Sequence, residues 1–150
     1  MRQSYFMDED KKFLIKNLLS KYTKPIVCAE IGNYTGNSTR FFSENIPVGS
    51  TFYSIDIDWY DIDVPESVIR VHQSSLDWNP PLLDFVYIDG DHDPENVRNE
   101  IDKYSKVTST IAGHDKGYVA HALFQQFLNK QQHVELCFDN QCTSWVMSIQ

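Results

Sequence analysis

Four acidic side chains follow apolar runs along this sequence, and together they could form one reactive site. The four are Glu30, Asp56, Asp89 and Asp115, and each comes at the end of a run typical of a buried strand. In an open sheet of parallel strands, ligands bind beyond the carboxyl ends of the strands. We therefore expect these four acids to surround a single cleft.

The first acid lies in a segment from Ile26 to Arg40 that predicts a strand, a glycine-rich turn and a helix. An apolar run opens the segment, as a buried parallel strand requires. Gly32 and Gly36 allow backbone conformations with positive φ or the close approach of a ligand. Asn37 and Ser38 then supply polar side chains that favour a helix N-terminus. The turn is therefore suited to a ligand that approaches the backbone.

Residues within this turn argue against a dinucleotide-binding loop. Asn33 and Tyr34 stand where such a loop would need glycine against a diphosphate, and the acid Glu30 comes just before them. Asp56 ends the next apolar run, 24 residues after Gly32, where an acid can accept hydrogen bonds from both hydroxyls of a ribose. An ordinary turn with a chance acid downstream is the alternative interpretation.

A carboxylate and imidazole cluster predicts a metal site. Asp89 follows one apolar run, and His114 and Asp115 follow the run after the next helix. Neighbouring parallel strands lie about 4.8 Å apart, so side chains beyond two adjacent strand ends can reach one ion. Such ligands suit Mg²⁺ or Mn²⁺, and the imidazole favours Mn²⁺. His114 could instead hold a neighbouring ligand in place through a hydrogen bond.

Between these runs, the segment Asp91–Asp93 has a structural interpretation beside a chemical one. Its residue types favour an Asx turn and a helix cap before Pro94. His92 is more often a hydrogen-bond partner of a carboxylate or the backbone than a metal ligand. Both interpretations stay open on the sequence alone.

Two stretches resemble a known family. The pattern E-x-G-x-x-x-G from Glu30 to Gly36, with Asp56 after the next strand, resembles the first two motifs of class I S-adenosylmethionine-dependent methyltransferases. The stretch LLDFVYIDGDHDPENVRNEID, followed by TIAGHD, resembles the methyltransferase family 24 type, which includes metal-dependent sugar and macrolide O-methyltransferases. The resemblance runs from about Ile26 to the final SWVMSI.

This resemblance implies a cofactor, a metal and a reaction. It implies methyl transfer from S-adenosylmethionine to a small hydroxylated, sugar-like acceptor, with Mg²⁺ or Mn²⁺ bound by Asp89, His114 and Asp115. Asp91 matches the general base, and Asp89 also belongs to the catalytic pair. The implied cofactor-binding residues are Glu30, Gly32, Asn33, Gly36, Ser38, Asp56, Ile57, Ser74, Ser75 and Asp89.

Two other functions remain open at this point. One is a binding module that keeps the S-adenosylmethionine pocket without catalysis, as a subunit of a larger assembly. The other is an iron-dependent, hydroxylase-like oxygenase that uses His92 or His114 with Asp89 or Asp115. The oxygenase hypothesis leaves the glycine-rich turn and Asp56 without a role.

Composition narrows the class of protein and its partners. The 150 residues predict a single domain over 1–150, and a net charge of −8 argues against nucleic acid as a partner. No apolar run approaches the roughly 18 residues of a membrane span, so we expect a cytoplasmic protein without a membrane partner.

Three cysteines without C-x-x-C spacing favour reduced thiols. The sequence has no lid, so a second copy in a homo-oligomer or ordering of the 60–67 loop is expected to complete the acceptor pocket.

Alternating apolar patterns predict the fold class, an α/β protein. We expect a Rossmann-like, seven-stranded, mostly parallel sheet with helices on both faces and a C-terminal antiparallel hairpin. The strands after the first are predicted over Thr51–Ile57, Val68–His72, Leu82–Ile88, Thr108–Ala112, His133–Phe138 and Ser144–Ile149. Helices are predicted over Met7–Tyr22, Ser38–Asn45, Glu95–Val107 and Tyr118–Gln131.

Overall fold

A single twisted sheet of seven strands organises the protein, whose structure is a computed structural model that describes residues 6–91, 93–117, 123, 132–137 and 142–149. Short apolar runs bounded by turn residues account for the central strands. The strands are β1 (Val27–Ile31), β2 (Thr51–Asp56), β3 (Val68–His72), β4 (Phe85–Ile88), β5 (Thr110–Gly113), β6 (Gln132–Leu136) and β7 (Trp145–Ile149).

The strand order is β3-β2-β1-β4-β5-β7-β6. Strands β1 to β5 pair in parallel, and β7 lies antiparallel between β5 and β6. The order reverses direction at β1, because β2 lies on one side of it and β4 on the other. Ligands bind beyond the carboxyl ends of strands at such a reversal. The predicted mostly parallel sheet with a C-terminal antiparallel hairpin is confirmed.

Helices cover both faces of this sheet, as predicted. On one face lie α1 (Asp8–Asn17), a 3₁₀ turn (Leu19–Lys21) and α2 (Asn37–Asn45). The buried side chains of that face include Leu14, Leu18, Phe41, Phe42, Phe52 and Phe85. On the other face, α3 (Pro94–Tyr104) packs its buried stripe of Val97, Ile101 and Tyr104 against β1, β4 and β5. The helix predicted over Tyr118–Gln131 lies outside the described residues except Leu123, which is helical and buried.

Several predicted boundaries shift by one to three residues. The strand predicted from Leu82 begins at Phe85, and before it the Leu83 amide donates to the Val107 carbonyl and the Asp84 amide to the Val27 carbonyl. The helix predicted to end at Val107 ends at Tyr104, where a turn follows with hydrogen bonds from the amides of residues 107 and 108 to the Tyr104 carbonyl. Pro94 opens this helix, the position at which proline is favoured.

The expected state of the cysteines is wrong in part. Cys137 and Cys142 form a disulfide, with their Cα atoms 5.9 Å apart, whereas Cys28 is a free, buried thiol on β1. The pair brackets the connection between β6 and β7, so the antiparallel pairing of these strands brings the two cysteines together. Sequence spacing alone did not indicate this, because neither cysteine belongs to a recognisable pair motif.

Membrane-spanning structure is absent from the helices that the structure describes. None of these helices combines the length and the apolar character that crossing a bilayer requires.

Candidate active site

A cleft of about 1140 Å³ opens beyond the carboxyl ends of the parallel strands. Its wall is formed by the loops that follow β1, β2, β3, β4 and β5, together with residues before α1, at the start of α2, in α3 and before β7. Most of the predicted site residues line it: Gly32, Asn33, Ser38, Asp56, Ile57, Ser74, Ser75, Asp89, Asp91, His114 and Asp115. Glu30 and Gly36 do not.

Gly32 is required by the contact between two loops. Its φ is +88°, and its amide donates a 2.7 Å hydrogen bond to the Ile55 carbonyl oxygen. A Cβ atom at this position would lie 2.2 Å from the backbone carbonyl oxygen of Asp89. The loops after β1 and β4 therefore touch through backbone atoms, which a side chain would force apart.

The predicted contact between Glu30 and a cofactor needs correction. Glu30 lies inside β1 rather than beyond its end, and its side chain has no exposed surface. Its carboxylate accepts hydrogen bonds from Ser38 Oγ (2.7 Å), Ser54 Oγ (2.9 Å) and Thr39 Oγ1. Burial raises the pKa of Glu30 to about 7, although the three hydroxyl groups oppose this shift.

Register explains this position. Glu30 pairs with Ser54 across β1 and β2, so their side chains lie on the same face of the sheet. That face carries α2, which supplies Ser38 and Thr39. Glu30 therefore joins α2 to β1 and β2, and it is connected to the cleft through Ser38, which lines the cleft.

Gly36 does not line the cleft, and its role is to allow the backbone conformation that precedes α2. It precedes α2 in the left-handed region, with φ +79°, and a Cβ atom there would lie 2.9 Å from Arg40 Nη1 and 3.2 Å from Val64 Cγ1. Its contact with a cofactor stays a prediction.

Asp56 is the last residue of β2, and its carboxylate faces the cleft at the end of that strand. Oδ2 accepts a 2.9 Å hydrogen bond from the Asn33 amide, and Oδ1 accepts one of 2.9 Å from the Asp58 amide. These bonds fix the carboxylate relative to the glycine-rich turn. Each oxygen has a further acceptor site, so the group can still receive hydroxyl donors from a ligand.

Two tyrosines, one from the 57–67 segment and one from the glycine-rich turn, line one side of the cleft. Tyr60 and Tyr34 line it with ring centroids 5.7 Å apart. Arg70 donates to the Tyr60 carbonyl at 2.7 Å, and Arg40 donates to the Asp63 carbonyl at 2.7 Å. Completion of the pocket by a second copy or by ordering of this segment stays a prediction.

The predicted metal ligands converge at the β4 and β5 ends. His114 Nδ1 lies 3.5 Å from Asp89 Oδ1 and 3.4 Å from Asp115 Oδ2, and one ligand atom from each residue lies within 4.8 Å of the others. Ligands at neighbouring octahedral positions of Mg²⁺ lie about 3 Å apart, given bonds of about 2.1 Å. Only a small contraction would bring these three atoms around one ion.

A fourth buried group, Asp10, holds the far side of the imidazole. Asp10 lies in the first turn of α1 with no exposed surface, and its Oδ2 is 3.4 Å from His114 Nε2. The same carboxylate accepts hydrogen bonds from the amides of Met7 (2.9 Å) and Thr143 (3.0 Å) and from Ser144 Oγ (2.7 Å). Asp10 therefore connects the first helix, His114 and the segment before β7.

These carboxylates determine the charge of His114. Burial alone would favour the neutral ring, but the carboxylates of Asp10, Asp115 and Asp89 outweigh it and raise the pKa of His114 well above its usual range. Burial alone would also raise the pKa of Asp10, but hydrogen bonds from His114, the Met7 amide and Ser144 hold it below its usual value. Without a cation, the single charge of the imidazolium offsets only part of the charge of the three carboxylates.

Asp91, the predicted general base, lines the cleft and is exposed. Its Oδ1 accepts a 2.9 Å hydrogen bond from the Asp93 amide, and its Oδ2 accepts one of 2.5 Å from Asn96 Nδ2. The first of these bonds forms the Asx turn that the alternative interpretation predicted. A proton-accepting role for Asp91 stays a prediction, and His92 lies outside the described residues.

Sequence reasoning missed two buried acids, Asp10 and Glu100. A signal for both exists in helix periodicity. Asp10 falls four and eight residues before Leu14 and Leu18, and Glu100 falls between Val97 and Tyr104 on the buried face of α3. An acid inside an apolar stripe is expected to have a partner or a ligand, because an unpaired buried charge is unfavourable.

Three solved structures resemble the chain over most of its length. MycE methyltransferase from the mycinamycin biosynthetic pathway, in complex with Mg, SAH and mycinamycin VI, matches with a TM-score of 0.73 at 11% identity over 92% of this chain and 48% of that one. The O-methyltransferase from Bacillus cereus in complex with SAH matches with a TM-score of 0.64 at 12% identity, over 95% of this chain and 81% of that one. Ribosomal protein L11 methylase from Lactobacillus delbrueckii subsp. bulgaricus matches with a TM-score of 0.66 at 12% identity, over 93% of this chain and 76% of that one.

The chain has the class I methyltransferase fold. The resemblance noted in the sequence is therefore confirmed at the level of the fold. The chain spans about half the length of MycE, 48%, and the three relatives differ in what their names say they act on. No protein-family model and no curated protein sequence matches the chain.

Proposed function

We propose that this chain binds S-adenosylmethionine in the cleft and, with a divalent metal ion, transfers the methyl group to an oxygen of a small hydroxylated acceptor. The observation that carries the proposal is the convergence of Asp89, His114 and Asp115 in the same cleft as Asp56. The solved structures of this fold named above include complexes with SAH, the demethylated product of that cofactor.

The cleft supports the cofactor through groups already fixed in position. Asp56 would accept the ribose hydroxyls, while its bonds to the Asn33 and Asp58 amides hold it still. The glycine-rich turn at Gly32 presents backbone toward the cleft, and Ile57 and Ser74 line the part beyond Asp56. A cofactor bound from Ser74 to Gly32 would have its reacting end near Asp89, because the loops of Gly32 and Asp89 are in contact.

The donor set of Asp89, His114 and Asp115 fits a divalent ion such as Mg²⁺ or Mn²⁺. Two carboxylates supply negative charge, and the contact of Asp10 with His114 Nε2 leaves Nδ1 directed toward the two carboxylates. Carboxylate, histidine and metal arranged in this order fix the ring nitrogen that binds. When bound, a divalent ion would lower the pKa of a coordinated hydroxyl and orient its oxygen.

Methyl transfer itself is a displacement at carbon. The acceptor oxygen forms a bond to the methyl carbon while the carbon–sulfur bond breaks, and its electron pair stays on sulfur. The acceptor hydroxyl loses its proton, for which Asp91 is the proposed acceptor. This chain's remaining contribution is to position the two reactants and exclude water.

A small acceptor is favoured by the space and charge of the chain. The cleft of about 1140 Å³ exceeds the ~300–1,000 Å³ of usual ligand pockets, so an acceptor can lie beside the cofactor. A net charge of −8 disfavours nucleic acid. The sugar-like class of acceptor follows from the sequence resemblance to family 24.

Thermal unfolding with ligands tests this proposal. S-adenosylmethionine and Mn²⁺ should each raise the melting temperature of the wild type, because each binds the folded state. Asp56→Ala should remove most of the cofactor effect, Asp115→Asn should remove the metal effect, and Asp102→Ala, an exposed acid on α3 outside the cleft, should change neither. No stabilisation of the wild type by the cofactor would refute the proposal.

Release of SAH in the presence of sugars and polyols then tests catalysis. We expect metal-dependent turnover with some members of such a set. Cofactor binding without turnover, and without any effect of Mn²⁺, would instead favour the binding module.

A further inference from the structure

One buried carboxylate in the cleft has no part in the proposed reaction. Glu100, on α3, is 2% exposed and lines the cleft beside Ser74, Ser75 and Leu76. Its Oε2 atom has no hydrogen-bond partner among the described residues. A buried carboxylate oxygen without a donor is unfavourable. A ligand group that donates a hydrogen bond would remove this penalty.

Core packing and hydrogen bonds hold the surroundings of Glu100 in place. Val97 and Ile101 are buried in the core on the same helix. Lys103 Nζ and Tyr104 Oη both donate to the Ser75 carbonyl, at 2.9 and 2.7 Å, so the loop after β3 is fixed to α3. The Ser75 hydroxyl is also a hydrogen-bond partner of the Glu100 carboxylate. The free oxygen is therefore held in place before any ligand arrives.

The charge of Glu100 defines the kind of ligand group it can receive. Burial raises its pKa to about 7, against the hydrogen bond from Ser75; Asp91 adds to the rise and Lys103 opposes it. Above that pH the group is ionised and only accepts hydrogen bonds. Its complement is therefore an N–H or O–H donor.

We propose that Glu100 accepts a hydrogen bond from the exocyclic amino group of a bound adenine and so selects a 6-aminopurine cofactor. This inference rests on the proposed function, because it takes the purine to lie beyond Asp56. With Asp56 placed at the ribose, the base attached to it would reach the loop after β3, whose Ser75 side chain bonds to Glu100. The adenine amino group is the donor that this base offers at its edge.

Calorimetric titration at pH 8.5 with two ligands tests the inference. The ligands are SAH and its 6-deamino analogue, in which hydrogen replaces the amino group. Wild type should bind SAH about tenfold more tightly, since one charge-assisted hydrogen bond separates the two ligands. Glu100→Gln should reduce this preference to about threefold, and Glu100→Ala to less than about twofold, because a neutral acceptor and then no acceptor remains.

Glu95 provides the matched control. It is an exposed glutamate on the same helix and outside the cleft, so Glu95→Gln and Glu95→Ala should keep the wild-type preference. Equal affinity of wild type for the two ligands would overturn the inference, and so would an unchanged preference in both Glu100 variants. In both cases SAH still binds, so the proposed function would stand. Absence of SAH binding by wild type would overturn both.

Discussion

Replacing Asp10 by asparagine should weaken metal binding from a position that cannot touch the ion. The substitution keeps the shape of the side chain but replaces one carboxylate oxygen, an acceptor, by an amide NH₂ group, a donor. Oδ2 serves the Met7 amide and His114 Nε2, and Oδ1 serves the Thr143 amide and Ser144 Oγ. Whichever oxygen is replaced, at least one partly or fully buried N–H donor faces another donor.

The magnitude follows from these contacts. One buried donor without a partner costs about 1–3 kcal/mol, so the free energy of unfolding should fall by that amount. For a chain of this size the melting temperature should fall by roughly 2–4 °C per kcal/mol. Loss of the group that orients a metal-binding histidine typically weakens metal affinity about 10–100-fold. An amino group facing Nε2 would also favour the tautomer whose proton lies on Nδ1, the nitrogen that must bind the metal.

Denaturant unfolding and calorimetric titration with Mn²⁺ measure the two effects separately. Asp8→Asn is the control, because Asp8 is an exposed acid in the same turn of α1. We expect wild-type stability and metal affinity for the control. The reasoning would be refuted if Asp10→Asn folded and bound Mn²⁺ as tightly as wild type, since Asp10 would then act only as a helix anchor.

Other predictions concern the backbone, the cofactor and pH. Gly32→Ala should lower the free energy of unfolding by at least about 2 kcal/mol, because φ is +88° and the Cβ would strike the Asp89 carbonyl. Gly117→Ala, where nothing lies within 4 Å, should change it little in denaturant unfolding. Asp56→Asn should weaken SAH binding roughly tenfold in calorimetry while metal affinity stays unchanged, and equal SAH affinity would contradict the ribose assignment. The pKa of Glu100 is raised from its ordinary value of 4.5 to about 7 in the folded protein. Ionisation of Glu100 therefore leaves the free energy of unfolding unchanged below about pH 4.5 and lowers it to the full extent above about pH 7. Glu100→Gln should therefore raise the free energy of unfolding at pH 8, by at most about 3 kcal/mol, and leave it unchanged near pH 4.5; a stability difference independent of pH would exclude this cause.

The sequence predicts the strand ends well, because the apolar runs and the turn residues are local signals. Asp56 at the end of β2, and Asp89 and Asp115 beyond β4 and β5, lie where the apolar pattern placed them. Parallel pairing then brings them to one edge of the sheet, as the strand order confirms. The alternation of strands and helices was sufficient for the fold class.

Glu30 shows where a local signal fails. An apolar run does not determine its last residue, and β1 continues through Ile31, so the acid falls inside the strand. A shift of one residue moves a side chain to the other face of a sheet. Its three hydroxyl partners come from β2 and α2, and no local pattern indicates that they meet.

The roles of Asp10 and Glu100 depend on contacts with residues that are distant in the sequence. Asp10 reaches Ser144, 134 residues away, and the role of Glu100 appears only once α3 is packed beside the loop after β3. Helix periodicity marks both as buried acids but does not identify their partners. The disulfide of Cys137 and Cys142 likewise follows from the pairing of β6 and β7.

Paramagnetic broadening tests the central claim, that cofactor and metal share one cleft. Protein saturated with S-adenosylmethionine labelled with ¹³C in its methyl group would be titrated with Mn²⁺, with Mg²⁺ as the diamagnetic control. We predict that Mn²⁺ broadens the bound methyl resonance strongly and that Mg²⁺ does not. Asp115→Asn, tolerated at its φ of +57°, should prevent the broadening without loss of cofactor. A methyl resonance that stays sharp at saturating Mn²⁺ would contradict the account.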